Sequence, residues 1–278
     1  MKDLAEKGSI AAANWAFRRC DAVVSPTRTI AGYFSRIGIH SVEVISNGLD
    51  LERFSPRKIS PDEGHEFRKK YGLHLHHPVI LHVGRLSKEK NLHGLLRAAA
   101  LAMHEVDVQL VIAGDGPERE KLARLSEQLG IADRTFFPGF VYPDGDLPAL
   151  YRLASVFITA SEIEAQGLVL LEAAACGAPI VAVRAGAAPE VVIDGLNGWL
   201  VSPGDELGMA ALVRKFLQDP VHAQSMGLKG RAIAEDHAQD KTIQAHERLY
   251  RRLVAVSSKP HQDAVVLQGP LGIHGRGF

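Results

Sequence analysis

Two glutamates in the segment SEIEAQGLVLLEAAACGAP, residues 161–179, are candidates for ligand binding or catalysis. Glu164 lies near a glycine, and Glu172 lies eight positions further on, among leucines and three consecutive alanines. This composition predicts a buried helix from Gly167 to Ala175, with Glu164 in the loop before it. Glu172 then needs a partner or a ligand, because an unpaired buried charge is very costly. The free N–H groups at the helix start also favour an anionic ligand.

Two acids at this spacing have alternative explanations. In a glycoside hydrolase, the carboxylates lie about 5–5.5 Å apart for retention or about 6.5–9.5 Å for inversion. Eight residues of continuous helix span about 12 Å, which disfavours that pair unless the loop is bent. Glu164 could instead be an acid stabilised by the helix dipole, but Glu172 has too apolar a neighbourhood to be an ordinary polar position. We expect the acids to bind the two ends of an elongated polar ligand whose middle is a diphosphate.

Cations follow a strand-like run in the segment GRLSKEKN, residues 84–91. Arg85 and Lys90 are five positions apart at the start of the next helical pattern. Cations there oppose the helix dipole by about 0.3–1 kcal/mol each, whereas an anionic ligand would reverse that effect. The segment therefore predicts a phosphate site, with solvated loop cations as the alternative. Lys88 is equally close in sequence and stays a candidate.

The segment GDGPERE, residues 114–120, has a structural explanation. Gly114 and Gly116 suit a tight turn, Pro117 suits the first helical position, and Glu118 suits the first helical turn. We therefore expect a folding role here, with a secondary ligand contact as the alternative, because the turn lies on the same sheet edge.

Strand-like apolar runs alternate with helical patterns along most of the chain. Runs that are apolar on both faces, each followed by a helix, predict an α/β fold with a parallel sheet covered by helices on both faces. Several of the runs end in glycine turns at the carboxyl edge, where open α/β sheets bind ligands. The expected strands are DAVVS (21–25), VEVIS (42–46), PVILHVG (78–84), VQLVIAG (108–114), TFFPG (135–139), VFITA (156–160), PIVAV (179–183) and GWLV (198–201).

The pattern divides the chain into five parts. Two strands and about two helices in the first part are too few for an independent doubly wound domain. Charges, prolines and the lack of periodicity indicate a linker in the second. The five parts are residues 1–48, a linker at 49–64, a complete α/β domain at 65–220, two helices at 221–254 and a disordered tail at 255–278.

Composition excludes several classes of protein. The 278 residues contain 32 Lys plus Arg and 32 Asp plus Glu, which gives no indication of a nucleic acid partner. Cys20 and Cys176 lack metal-binding spacing, and their scarcity favours a reducing, cytoplasmic location. No apolar run reaches the roughly 18 residues of a membrane span, although peripheral membrane association stays open. The histidines of the HLHH segment, residues 74–77, are expected in an exposed loop.

The order of motifs resembles a known family. NGLD, GRLSKEKN, GDGP, the FPGF turn, ExxGLVLLEAAACGAPIVA and GLNGWLV follow one another over about residues 20–254. This order resembles the retaining, nucleotide-sugar-dependent glycosyltransferases of family 4 (glycosyl transferases group 1), which have the GT-B fold. Glu164 and Glu172 match that family's paired-glutamate signature.

The resemblance implies a site and a reaction. The enzyme would transfer a hexosyl group, with retention, from a UDP- or GDP-linked sugar to a glycan, lipid or small-molecule acceptor, without a metal or other cofactor. Arg85 and Lys90 would bind the diphosphate and stabilise the leaving group, Glu164 would face the sugar, and Glu172 would accept hydrogen bonds from the ribose. The implied catalytic residues are Arg85, Lys90 and Glu164. The implied donor-binding residues are Gly84, Arg85, Lys90, Gly139, Phe140, Glu164, Gly167, Leu168, Val169 and Glu172.

The chain departs from the family in two respects. Family members have two Rossmann-like domains, whereas here residues 1–48 match only a remnant of the N-terminal acceptor domain, ahead of the donor domain at 65–220. This leaves open a non-catalytic nucleotide-sugar-binding module that needs a partner chain supplying the missing half. A sugar-nucleotide epimerase on a similar fold is less favoured, because of the paired glutamates. Gln166 stands where many members have an aromatic residue, as in variants that resemble enzymes with lipid acceptors.

Overall fold

The structure is a computed structural model that describes residues 2–57 and 59–257. Its helices are α1 (Lys2–Phe17), α2 (Arg28–Arg36), α3 (Pro61–Lys70), α4 (Leu92–Met103), α5 (Arg119–Gln128), α6 (Leu147–Leu153), α7 (Leu168–Ala175), α8 (Ala188–Val191), α9 (Glu206–Gln218), α10 (Pro220–Glu235) and α11 (Gln239–Ser257). Its strands are β1 (Val23–Ser25), β2 (Val42–Val44), β3 (Val79–Val83), β4 (Gln109–Ala113), β5 (Thr135–Gly139), β6 (Val156–Thr159), β7 (Ile180–Val183) and β8 (Gly198–Val201).

Six parallel strands form the main sheet in the order β5-β4-β3-β6-β7-β8. Counted along the chain within this sheet, the order is 3-2-1-4-5-6, that of the doubly wound Rossmann fold. The α/β class and the parallel sheet are therefore confirmed. The order reverses between β3 and β6, which makes their carboxyl ends the topological switch point. A separate parallel pair, β1 and β2, lies in the N-terminal part.

Alternation along the strands supplies two cores, one on each face of the sheet. Ile80 packs in the core that contains α4 and α9, whereas its neighbours Val79 and Leu81 pack in the core that contains α6 and α7. Successive side chains of a strand point to opposite faces, so a strand covered on both sides is expected to be largely apolar. That requirement explains why the strands were readable as continuous apolar runs.

The expected elements are present with small differences at their ends. All eight expected strands form, and the bounds of β5 and β8 coincide with the expected ones. The two helices expected at 221–254 are α10 and α11, and the latter continues to Ser257. Of the tail expected to be disordered, residues 255–257 are helical and residues 258–278 lie outside the described residues. No helix within the described ranges is both long and apolar enough to span a bilayer.

The expected linker at 49–64 is wrong in part. Helix α3 begins at Pro61, and Ser60 and Glu63 form a reciprocal capping box, with the Glu63 N–H 3.2 Å from Ser60 Oγ. Leu49 also pairs with the turn before α11, since its N–H donates to the carbonyl of His237 at 2.8 Å. The sequence SPDE carries both the cap and the N1 proline. The sequence predicted a linker because the segment lacks apolar periodicity.

Two glycines in helices differ in the space around them, and only Gly227 lies against the end of α7. A Cβ atom on Gly227 of α10 would overlap the carbonyl oxygen of Gly177, whereas one on Gly32 of α2 meets nothing within 4 Å. Gly227→Ala should lower the free energy of unfolding by about 1–3 kcal/mol, because overpacking outweighs helix propensity. Gly32→Ala should raise it by up to about 1 kcal/mol. Urea denaturation measures both, and two changes of the same sign would contradict the packing described.

Candidate functional site

Two adjoining cavities lie at the carboxyl ends of β3 and β6. The first, the apolar cavity, has a volume of about 450 Å³ and includes Phe140, Val141, Pro143, Leu147 and Glu172. The second, the charged cavity, has a volume of about 320 Å³ and includes Asn47, His82, Lys90, Glu164 and the start of α7. Both cavities are lined by Val83, Gly84, Arg85 and Val169.

The floor between the cavities depends on a close approach of two chain segments. Gly114 has φ 138°, and a Cβ atom there would overlap the carbonyl oxygen of Gly84. The N–H of Gly84 donates to the carbonyl of Ala113 at 3.0 Å, and that of Gly114 donates to the carbonyl of Gly139 at 2.7 Å. These contacts join the ends of β3, β4 and β5, which supports the structural explanation of the GDGP turn. Gly139 contributes this bond and lines neither cavity.

Arg85 lies where the two cavities meet. Its side chain is exposed, and within the described residues it has no hydrogen bond or ion pair. An arginine without a protein partner at the junction of two cavities is available to a ligand anion. Lys88, the alternative cation, lies on the adjacent turn and lines neither cavity.

Lys90 and Glu164 form an ion pair in the charged cavity. Lys90 Nζ donates to Glu164 Oε1 at 2.6 Å, and the two side chains are only 22% and 11% exposed. The turn of residues 88–90 supplies the lysine, and the loop after β6 supplies the glutamate. A ligand with both an anionic group and hydroxyl groups can exchange this pair for contacts of its own, because it offers each side chain a partner.

The start of α7 adds backbone donors to the same cavity. Gly167 is the N-cap, with φ 71°, and no side chain caps the helix. A left-handed conformation favours glycine, because a Cβ atom would be strained there. Gly167, Leu168 and Val169 all line the charged cavity. The uncapped N–H groups of the first turn are therefore placed where an anion can accept from them.

Glu172 lies inside α7 and lines the apolar cavity. Its Oε2 accepts a hydrogen bond from the hydroxyl of the fully buried Tyr151 at 2.7 Å. Burial raises the pKa of Glu172 to about 7, and the Tyr151 hydrogen bond partly offsets that rise. The structure thus provides the buried acid and the partner that the sequence required. The second carboxylate oxygen has no protein partner in the described residues.

Exposed aromatic rings stand at the mouth of the apolar cavity. Phe140 lines the cavity, is 62% exposed and packs edge-to-face against Tyr142 at a centroid distance of 4.9 Å. A large exposed aromatic beside an apolar cavity provides a surface against which a planar ring can pack.

Some residues of the cavities carry no readable signal in the sequence. His82 is buried in β3, and its Nδ1 lies 3.0 Å from the carbonyl of Ile158. Burial lowers the pKa of His82 to about 4, so the ring is neutral and donates from Nδ1. A histidine in an apolar strand and the tyrosine at position 151 both resemble ordinary core residues. Asn47 lines the charged cavity from the distant segment after β2, which only the fold brings close.

The described residues offer little support for a metal site. They contain no group of three or more His, Cys, Asp or Glu side chains that could hold an ion. His74 and His76 are exposed, as the sequence predicted, whereas His77 of the same segment is half-buried. A further cavity of about 440 Å³ lies at the opposite edge of the sheet, where Pro78, Ser155 and Pro179 precede their strands. None of the expected site residues lines it.

The structure brings together nine of the ten expected donor-binding residues, and Gly139 is the exception. Glu164 and Glu172 lie in different cavities on either side of Arg85, each with its own protein partner. This arrangement suits an elongated ligand with a central anion.

A family model and curated relatives both match this chain to glycosyl transferases. The family model for glycosyl transferases group 1 matches residues 64–233. The chain is 37% identical over 210 residues to the GDP-mannose-dependent alpha-(1-6)-phosphatidylinositol monomannoside mannosyltransferase of Mycolicibacterium smegmatis, covering 73% of this chain and 54% of that protein. It is 30% identical over 210 residues to the N-acetyl-alpha-D-glucosaminyl L-malate synthase of Bacillus anthracis, covering 75% and 53%. The chain therefore spans about half the length of these relatives.

Solved structures share the fold over most of the chain. Anabaena HepE in complex with UDP and glucose has a TM-score of 0.76 and 26% identity, covering 88% of this chain and 66% of that one. The sucrose-phosphate synthase of Thermosynechococcus elongatus has a TM-score of 0.79 and 26% identity, covering 90% and 62%.

Glu172 should make the stability of the protein depend on pH. Its pKa is raised in the folded state from the usual 4.5 to about 7, so the folded state binds this proton more tightly. The stabilisation that this proton gives to the folded state is fully present below pH 4.5 and is lost as the pH rises through about 7. Glu172→Gln should remove this loss, so its free energy of unfolding relative to wild type should rise by up to about 3 kcal/mol between pH 5 and pH 8.

Urea denaturation at the two pH values measures this difference, with the exposed Glu127→Gln as control. Tyr151→Phe should move the loss to higher pH, since the hydroxyl stabilises the carboxylate. A Glu172→Gln variant that keeps the wild-type pH dependence would show that Glu172 is ionised throughout this range.

Proposed function

Because the chain belongs to the glycosyl transferases group 1 family, we propose that it binds a nucleotide-diphospho-sugar and transfers the hexosyl group to an acceptor with retention of configuration. The observation that carries this proposal is the pair of cavities meeting at Arg85, with one acid in each. A nucleotide-sugar has the same layout, with a nucleoside at one end, a sugar at the other and a diphosphate between them.

The apolar cavity is the proposed nucleoside site. Phe140 packs against the base, and Val141, Pro143 and Leu147 supply an apolar wall. The oxygen of Glu172 that Tyr151 does not engage accepts hydrogen bonds from the ribose hydroxyls. Because these bonds favour the carboxylate over the acid, they draw Glu172 into its ionised form at neutral pH.

The junction is the proposed diphosphate site, and the charged cavity is the proposed sugar site. Arg85, Lys90 and the N–H groups at the start of α7 surround the diphosphate and stabilise the charge that develops on the departing nucleotide. Glu164 accepts hydrogen bonds from the sugar once the phosphate competes for Lys90. In this proposal the transfer requires no metal or other cofactor, because the cations of the protein supply the electrophilic stabilisation.

UDP and GDP are the nucleotides to test. The M. smegmatis relative is named as GDP-mannose-dependent, and HepE was solved with UDP and with UDP-glucose. The proposed acceptor is a glycan, a lipid or a small molecule, bound beside the N-terminal residues 1–48. We propose a cytoplasmic location, with peripheral contact to a membrane where the acceptor is a lipid.

A second candidate is a donor-binding module that acts together with another polypeptide. The observation that favours it is the small sheet of β1 and β2, which has two strands within the described part of the chain and exposes Val24 and Val44. Such a sheet can accept a further strand from a partner. Turnover separates the candidates: hydrolysis or transfer from a nucleotide-sugar by the chain alone supports the enzyme, whereas binding without turnover supports the module.

Isothermal titration calorimetry with UDP and GDP tests the donor site. Arg85→Ala and Lys90→Ala should each weaken binding by about 10- to 100-fold, since each removes a charge-assisted contact to the diphosphate. Glu172→Ala should weaken binding of the same nucleotide by at least about tenfold through the lost ribose contacts.

Lys88→Ala is the matched control, because Lys88 lies on the same turn as Lys90 and outside both cavities. Its affinity should equal that of the wild type within about twofold. If Arg85→Ala, Lys90→Ala and Glu172→Ala bind the nucleotide as tightly as Lys88→Ala and the wild type do, the junction is excluded as the diphosphate site. Loss of binding in Lys88→Ala alone would move the phosphate site to the outer face of the turn.

A further inference from the structure

The oxygen and the nitrogen of the Gln166 carboxamide both form hydrogen bonds with a segment that is distant in sequence. The side chain is only 3% exposed, and its Oε1 accepts the N–H of Asn47 at 3.0 Å. Its Nε2 donates to Ser46 Oγ at 2.6 Å. Both partners belong to the segment directly after β2, about 120 positions earlier. The loop between β6 and α7 is therefore fixed to the N-terminal part of the chain.

Ser46 extends this contact into a chain of hydrogen bonds. Its hydroxyl oxygen also accepts the N–H of Gly48 at 3.3 Å, and it lies 3.1 Å from Nδ1 of His237. Burial lowers the pKa of His237, which favours the neutral ring, so the Ser46 proton can be donated to Nδ1. The hydroxyl then accepts two bonds and donates one, which is its full capacity. A fully satisfied network of this kind holds its backbone in one position.

A second bond attaches the same loop to the N-terminal part. Thr27 Oγ1 donates to the carbonyl of Ala165 at 2.8 Å, next to Glu164 in the chain. The loop that carries Glu164 and ends at Gly167 is thus fixed at two consecutive residues, 165 and 166. Its conformation depends on residues 27 and 46–47, which lie outside the 64–233 region matched by the family model.

The network places Asn47 at the charged cavity. Asn47 lines this cavity together with Lys90 and Glu164, and it does not line the apolar cavity. Its side chain is exposed, and within the described residues its carboxamide has no hydrogen-bond partner. Because Gln166 holds its main-chain N–H, the residue is fixed while its side chain stays available.

We propose that Asn47 binds a hydroxyl group of the donor hexose, and that Gln166 is the residue that positions it. This inference rests on the proposed function. A carboxamide both donates and accepts, which suits a hydroxyl, whereas a phosphate only accepts and already has Arg85 and Lys90. The place of Asn47 in the sugar half of the site selects the hexose as its partner. Gln166 also gains an explanation that does not depend on the acceptor, because an aromatic side chain could not form both hydrogen bonds.

Calorimetry with a nucleotide-sugar and its free nucleotide tests the proposal, using UDP-glucose with UDP and GDP-mannose with GDP. Asn47→Ala should weaken binding of the nucleotide-sugar about fivefold, the effect of one neutral hydrogen bond, and should leave the free nucleotide within about twofold. Gln166→Met should have the same selective effect. The variant that combines Asn47→Ala with Gln166→Met should have the same affinity for the nucleotide-sugar as the single variant that binds it less tightly. Both changes act through Asn47, so their effects should not add.

The controls separate positioning from a general loss of stability. Gln128→Met replaces an exposed glutamine on α5 and should change neither affinity. Ser46→Thr keeps the hydroxyl and should retain wild-type affinity, whereas Ser46→Ala should reproduce the Gln166→Met effect even if the latter variant folds poorly. A purely structural role would lower the melting temperature and the fraction of active protein, without selectivity for the sugar.

The outcomes distinguish this inference from the proposed function. A wild-type chain that binds neither nucleotide nor nucleotide-sugar overturns the donor site, and this inference with it. Normal wild-type binding with an unchanged affinity for the nucleotide-sugar in Asn47→Ala and Gln166→Met overturns this inference alone. An equal loss of affinity for nucleotide and nucleotide-sugar also overturns it, because Asn47 would then act at the phosphate.

Discussion

The reversal of strand order between β3 and β6 is the constraint on which the site depends. From β3 the chain proceeds through β4 to β5 on one side, and from β6 it proceeds through β7 to β8 on the other. The segments that leave the carboxyl ends of these two central strands therefore diverge and leave a crevice between them. The turn with Arg85 and Lys90 forms one wall, and the loop with Glu164 and Gly167 forms the other. The two cavities are the two ends of that crevice.

Different surroundings divide the two acids of one short segment into two chemical roles. Glu164 is paired with Lys90 at 2.6 Å, and a ligand can replace that partner with contacts of its own. Glu172 faces only a neutral hydroxyl in an apolar interior, which raises its pKa to about 7. Helix α7 produces the difference, because it starts after Glu164 and carries Glu172 into the core. A ligand in the crevice therefore meets an ion pair in the charged cavity. In the apolar cavity it meets Glu172, an acid whose ionised form is favoured when the ligand donates hydrogen bonds to it.

Much of the fold and the centre of the site could be predicted because they are encoded locally. A strand buried on both faces is largely an apolar run, so the strands of the main sheet could be predicted without knowledge of their neighbours. Arg85, Lys90 and Glu172 could be predicted because cations at a helix start and an acid in an apolar run contradict local preference, whereas Glu164 was identified by its spacing from Glu172. Helix α3 was not predicted, although its capping residues Ser60 and Glu63 are close in sequence, because the segment has no apolar periodicity.

The wall of the charged cavity could not be predicted, because it is made by contacts across the whole chain. Gln166 was visible as a departure from an aromatic position, but its partners Ser46 and Asn47 are about 120 positions away. Nothing in either segment alone specifies that pairing. The physical consequence is that the donor loop is supported by the N-terminal part of the chain as well as by the donor domain, where the Glu164 carbonyl also accepts the N–H of Ala187 at 2.9 Å. Any movement of the segment after β2 must therefore either carry the loop with it or break the bonds of a buried carboxamide, which would leave buried polar groups unpaired. This coupling makes the geometry around Glu164 a property of the connection between the N-terminal part and the donor domain, and not of the donor domain alone.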